Sequence, residues 1–318
     1  MRTPLRWTVA LLVMLVIAPV SAMALEPYLD PNVRSGTLIV DGQELGFYRA
    51  GANLNLANAP DYNWTYGCSP TSAGMMMGYY DRNGYKGVNY ANLVPGGVAE
   101  LNTFGAGPYI VNNAIASAGH IADFYHTPPG YLGSGDDSQQ PWHAFNCLAD
   151  FMGSSQDSTG NKNGSTTFYY WLNGAPYTAA DAVNNGVKDL DGMYGMGEYV
   201  TYAGYSTKTL YTQLIDKRVT HGGGGFTFNQ YKAEIDAGRP VLIQVEGHTM
   251  FGYGYTDPNT VTLYDTWVPN GQNPGTMTWG GAYSGMTQWG VEVMEITPEP
   301  ATLSLLALGG LALIRRRR

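Results

Sequence analysis

Cys68 stands where a thiol can become a nucleophile. It follows Tyr66-Gly67 and precedes Ser69-Pro70-Thr71-Ser72-Ala73, which reads as the first turns of a helix with Pro70 near its start. A thiol there lies beside unpaired backbone N–H groups and the positive end of the helix dipole, and both favour thiolate. A nucleophile needs a base, and an imidazole base needs an acceptor on one nitrogen so that the other faces the thiol. The chain offers both late in its sequence: His248 in Gly247-His248-Thr249, and Asp265 in Tyr264-Asp265-Thr266-Trp267. Nucleophile, base and carboxylate in that order are chemically coherent for acyl transfer.

Regular elements must bring these residues together. A helix is expected from Cys68 to a stop at Asn83-Gly84. Trp142 to Met152 and Leu210 to Val219 have helical character, and Asn229 to Ala237 reads as a helix closed by Gly238 and Pro240. Val241 to Tyr255 and Val261 to Trp267 read as strands turned back at Asp257-Pro258-Asn259, with further strands at Met277–Trp279 and Trp289–Ile296. With the turn centred on Asn259, the residue facing 248 falls near 268–270, so Asp265 is a diagonal neighbour that a bulge would bring within reach. Helices early and strands late indicate an α+β fold. An additional hairpin is expected over Ser35–Tyr48 around Asp41-Gly42, followed by a polar loop from Gly51 to Pro60.

The two ends read as addresses. Residues 1–24 have the form of a signal peptide: Arg2 and Arg6, an apolar core from Val9 to Val16, and the cleavage site Ala22-Met23-Ala24. At the other end Pro298-Glu299-Pro300 precedes an apolar run, Ala301 to Ile314, and four arginines, Arg315 to Arg318. The run is shorter than the ~20 residues of a comfortable membrane span, and the arginines favour a cytoplasmic end. This three-part tail resembles the PEP-CTERM sorting signal of Gram-negative bacteria. The resemblance implies an exosortase-type partner, transient inner-membrane anchoring, and delivery to the cell surface or extracellular matrix. The net charge of −8 includes those arginines, so the body is more acidic still and nucleic acid is a poor partner.

Tyr66-Gly67-Cys68-Ser69-Pro70-Thr71-Ser72-Ala73, Gly238-Arg239-Pro240-Val241-Leu242-Ile243, Gly247-His248 with Gly252-Tyr253-Gly254-Tyr255, and Tyr264-Asp265-Thr266-Trp267 together resemble the C39-like peptidase family. The resemblance implies a papain-like α+β fold, with the helical part carrying the Cys and an antiparallel sheet carrying His and Asp. It implies Cys68, His248 and Asp265 as the catalytic Cys, His and Asp, a peptide or protein substrate, and no metal or organic cofactor. Papain-like enzymes place an oxyanion Gln about six residues before the Cys; here position 62 is Tyr62, and Asn63 is the nearest amide. The expected organisation is a signal peptide (1–24), an N-terminal hairpin or extension (25–60), a C39-like peptidase domain (61–296) and the sorting segment (297–318). The alternative is a catalytically weak or inactive C39-like fold serving as a surface or matrix binding module.

Other residues are weighed against plainer readings. Cys68 and Cys147 are the two cysteines of an exported chain, so a disulfide between them competes with a reactive thiol. His120, His126, His143 and His221 read as ordinary surface or semi-buried histidines. His143 and Cys147 are four apart, one helical turn, but a metal site would need further ligands that the sequence does not identify. Asp189-Leu190-Asp191-Gly192 with Glu198 has the look of a calcium loop without its later ligands, and reads as a solvated loop. The abundant aromatic residues are expected in packing rather than in a sugar cleft.

Overall fold

The computed structural model describes residues 53–103, 107–124, 143–156, 159–161, 163–220, 224–267 and 274–298, with the backbone of 35–40 and 43–48. Segment 1–24, the tail beyond Pro298, His126 and His221 lie outside the described residues. The first hairpin pairs β1 (Ser35–Val40) with β2 (Gln43–Tyr48) antiparallel, Val40 opposite Gln43, as the sequence indicates. The helices that follow a short β3 (Asn53–Asn55) are α1 (Cys68–Asn83), α2 (Ile110–Ile115), α3 (Ala118–Phe124) and α4 (Leu148–Phe151). Next come β4 (Tyr177–Thr178), α5 (Ala179–Asn184), α6 (Gly192–Tyr202), β5 (Tyr205–Leu214) and α7 (Phe228–Asp236). The chain then runs through β6 (Val241–Val245), β7 (His248–Thr256), β8 (Thr260–Tyr264), β9 (Gly275–Thr278), β10 (Ala282–Tyr283) and β11 (Met286–Pro298). The main sheet has the order β4-β5-β11-β6-β7-β8-β9, with β10 on β11 and β3 on β7, all antiparallel. Helices plus one large antiparallel sheet make the fold α+β.

Three expectations change. Leu210 to Leu214 is strand, not helix: it pairs along its length with β11 and, at Tyr211 and Thr212, with β4. β-branched Thr207, Thr209 and Thr212 suit a strand, and its position between β11 and β4 accounts for the unbroken burial from Thr212 to Leu214. Around Cys147 helix is confined to α4, since the Asp150 carboxylate accepts the Asn146 and Cys147 N–H groups and holds the chain before α4 extended. His143 and Cys147 are therefore not related by a helical turn. The stretch from Gly51 to Pro60 also contains β3, whose Leu54 is buried in the core with Leu56.

β6 and β7 are buried almost residue after residue, which requires cover on both faces of the sheet centre. α1 and α7 both pack on β7. α1 is buried from Ser69 through Asp81, so its polar side chains need internal partners. Thr71 Oγ1 donates to the Gly67 carbonyl, Ser72 Oγ donates to the Thr249 carbonyl, and the Asp81 carboxylate accepts the Ala99 and Val94 N–H groups. Met75, Met76 and Met77 are fully buried, each contributing roughly 1.5–3 kcal/mol of transfer free energy. On the α7 side, Phe228, Tyr231 and Trp279 form an aromatic cluster, so much of the aromatic content is packing. Gly254 is required by close approach: a Cβ there would run into the Asn55 side chain and the Leu54 carbonyl of β3.

Candidate active site

Cys68 opens α1, and Gly67 before it has no room for a side chain because the Gly164 carbonyl lies 2.9 Å from where its Cβ would be. That contact brings the loop at Ser165 and Thr166 against the start of α1. Opposite, β6 and β7 meet in a tight turn that pairs Gln244 with Thr249 and Val245 with His248. Cys68, Gln244, His248, Thr249, Ser165 and Tyr170 line one cleft of about 280 Å³.

The β7–β8 register explains how His248 is oriented. A bulge between Gly252 and Gly254 shifts the pairing by one residue, from Thr256↔Thr260 to Phe251↔Tyr264. Continued three residues beyond Phe251↔Tyr264, that register sets 248 opposite 267. The His248 ring stacks on Trp267, with centroids 4.1 Å apart and planes at 24°. The acceptor on His248 is the backbone carbonyl of Asp265, 2.8 Å from Nε2. A carbonyl only accepts, so Nε2 carries the proton and Nδ1 keeps the lone pair. The Asp265 carboxylate accepts from the Tyr283 hydroxyl at 2.6 Å and from the Trp267 N–H at 3.0 Å. The carboxylate expected to hold the imidazole is thus tied to its own loop, and the diagonal position turns its carbonyl to the ring.

Two non-glycine residues beside these positions have backbones in the left-handed region: Tyr66 at φ 56° and Thr266 at φ 68°. For a β-branched threonine this is strained, at a cost on the order of 1–3 kcal/mol. The two segments are joined by a hydrogen bond from the Trp64 N–H to the Thr266 carbonyl at 2.7 Å. Strain next to Cys68 and next to Asp265 is thereby held by one backbone contact between the two segments.

The electrostatics differ from the sequence expectation. Burial pushes the Cys68 thiol up from its ordinary value, although the Thr249 N–H, the Ser69 hydroxyl and the N–H groups of Ser69 and Cys68 itself act in the other direction. Burial also lowers the His248 imidazole, outweighing the Asp265 carbonyl and the Asp265 charge. Both shifts favour a neutral thiol and a neutral imidazole in the one cleft, whereas the helix start alone suggested a thiolate. Cys68 and Cys147 are both free, with Cys68 partly exposed and Cys147 buried.

Asn63 is not among the residues that line the cleft; its N–H donates to Thr103 Oγ1, and its side-chain oxygen is buried without a partner among the described residues. Sequence reasoning missed Gln244. Its Oε1 accepts the Thr249 hydroxyl at 2.7 Å, and with that proton committed, Ser69 is the donor to Thr249 Oγ1 at 2.8 Å. In this arrangement Gln244 Nε2 is the buried donor left without a partner among the described residues. The available signal was a lone amide within the apolar run Val241-Leu242-Ile243-Gln244-Val245, at a strand position buried on both faces.

Tyr170 forms part of the cleft wall, and an acidic pair lies behind it. Glu292 is fully buried with neither carboxylate oxygen partnered among the described residues, and burial with the neighbouring Asp191 pushes it well up. Asp191, expected in a solvated loop, instead caps α6 through the Met193 N–H and is raised by burial to about 7. Asp189 beside it is exposed. His120, expected at or near the surface, is fully buried against Asp150.

No curated protein matches the chain, and no solved structure matches it. The PEP-CTERM protein-sorting motif matches residues 297–318 and marks an exported protein whose C-terminus is processed by an exosortase. No helix among the described residues is long and apolar enough to cross a membrane. The pattern of the Peptidase_C39 like family matches residues 54–283, which include every residue of the cleft wall except Trp289. With an α+β fold that brings a helix-start cysteine and a strand histidine to one cleft, the chain belongs to the Peptidase_C39 like family.

Proposed function

We propose that this protein is an exported, surface-associated cysteine peptidase that hydrolyses peptide bonds through Cys68, His248 and Asp265. The observation that carries the reading is the tautomer of His248: Nε2–H is committed to the Asp265 carbonyl, so the basic Nδ1 is the nitrogen left for the cleft it shares with Cys68. Nδ1 takes the Cys68 proton as sulfur attacks the substrate carbonyl, and the Asp265 charge stabilises the imidazolium. Trp267 holds the ring in plane. The Cys68 N–H, without an intrahelical partner at the helix start, and Gln244 Nε2 are the donors for the oxyanion. Gln244 takes the place that the sequence suggested for Asn63. The imidazolium then protonates the leaving amine, and water activated by Nδ1 hydrolyses the acyl-enzyme.

The test is cleavage of a proteome-derived peptide library, read by mass spectrometry in ¹⁸O-water, with Cys68→Ser and His248→Asn as controls. New C-termini that carry ¹⁸O and vanish in both variants support the peptidase. Products joined to an added amine instead identify an acyl transferase using the same residues. No turnover by the wild-type chain leaves the second reading, a C39-like binding module, which the raised Cys68 thiol favours.

A further inference from the structure

We propose that His120, His143, Cys147 and Asp150 form a structural zinc site that fastens α3 to α4. Ligand atoms of His120, Cys147 and Asp150 all lie within 4.8 Å of one another, and all three residues are fully buried. Asp150 Oδ1 is approached by two imidazole nitrogens, His120 Nδ1 at 3.0 Å and His143 Nε2 at 3.8 Å. Bonds of ~2.0–2.3 Å in a tetrahedron set ligand atoms roughly 3.3–3.8 Å apart, so His120, Cys147 and Asp150 close in modestly around an ion, while His143, which lies outside that mutual set, moves in as the fourth ligand.

The surroundings aim the ligands inward. His143 Nδ1 lies 3.1 Å from the Ala144 carbonyl, which can only accept. The proton therefore sits on Nδ1, and Nε2 presents a lone pair towards a carboxylate oxygen. In the neutral ring two electron-rich atoms then face each other, and a bound cation between them would balance them as a shared proton does. Asp150 Oδ2 is held by the Asn146 and Cys147 N–H groups, which turns Oδ1 to the histidines. Such outer hydrogen bonds orient metal ligands in general. The His143 ring also packs so close to α3 that a Cβ on Gly119 would lie 2.6 Å from its Cγ.

The donor set selects the metal. Two imidazoles, a thiolate and a carboxylate suit zinc, and four protein ligands leave no open position, as in structural sites. Thiolate and carboxylate together cancel the charge of the dication, which a buried place requires. Binding releases the Cys147 thiol proton to solvent. The site has a structural use: α3 has 7 residues and α4 has 4, too few to hold a helix alone. α4 in turn packs on α1, the helix that begins with Cys68.

The experiment is metal analysis of the full chain purified with zinc, followed by cobalt(II) titration of the chelator-treated protein. One equivalent of zinc, and a tetrahedral cobalt spectrum with a thiolate charge-transfer band, are expected. The band should survive Cys68→Ser and be lost in Cys147→Ser. His143→Ala, the least buried ligand, keeps the wild-type core and should weaken cobalt affinity about 10–100-fold. Absence of the thiolate band from wild-type protein, or its loss in Cys68→Ser with retention in Cys147→Ser, overturns the proposal. Unchanged cobalt affinity in His143→Ala overturns the four-ligand site.

Discussion

Asp191→Asn should reverse part of the chain's pH dependence of stability. Asp191 is 2% exposed, so its carboxyl meets almost no water in the folded state. Its pKa rises from an ordinary 3.8 to about 7, chiefly by burial. In the unfolded chain it ionises freely above pH ~4, whereas the folded chain must hold the proton until about pH 7. The folded state therefore loses stability as pH climbs through that window, at ~1.4 kcal/mol per unit, and the loss levels off above about 7. Some 3 units amount to about 4 kcal/mol. Asparagine keeps an oxygen for the Met193 N–H, so the cap of α6 survives. It also removes the charge that helps to raise Glu292. Urea unfolding followed by tryptophan fluorescence at pH 4.5 and pH 8 measures the difference. The variant should lie within about 1 kcal/mol of the wild type at the lower pH and exceed it by ~2–4 kcal/mol at the higher. Parallel pH profiles for the two proteins would refute the reasoning, because they would mean that Asp191 reaches water or a partner in the folded state.

Alkylation of Cys68 by iodoacetamide should accelerate with pH to a midpoint above 9, the ordinary value, since burial raises the thiol; a plateau already at pH 7 would contradict the neutral pair. The acid limb of kcat/KM should fall below 6.5, the ordinary imidazole value, because burial lowers His248 and only its neutral form is a base. Gln244→Met should lower kcat by about 10²–10³ with little change in KM, as for loss of one oxyanion donor, and an unchanged kcat removes Gln244 from the site. Gly254→Ala should destabilise the fold by about 1–3 kcal/mol, seen as a lower unfolding midpoint, because its methyl group collides with β3.

Local chemistry made much of this protein readable from sequence. Pro70 after Cys68 and Gly84 after Asn83 mark the ends of α1, and Gly238-Arg239-Pro240 separates α7 from β6. The strand character of His248 and its hairpin partner followed from their β-branched and aromatic neighbours and the turn at Asp257-Pro258-Asn259. Leu210 to Leu214 was misread because a short apolar run carries no clear period, and the choice between helix and strand rests with β4 and β11, which come from distant sequence. The same holds at the site. Residue types and chain order nominate Cys68, His248 and Asp265, because nucleophile, base and carboxylate are properties of side chains. Which Asp265 atom meets the imidazole depends on a one-residue bulge at Gly252–Gly254, and bulges are set by pairing across strands. The thiol's proton affinity likewise escapes the sequence: the helix start is local and favours thiolate, but the burial that outweighs it comes from packing the start of α1 against β6 and β7. Gln244 at the cleft and His120 beside Cys147 and Asp150 became candidates for function only once folding brought them to their neighbours.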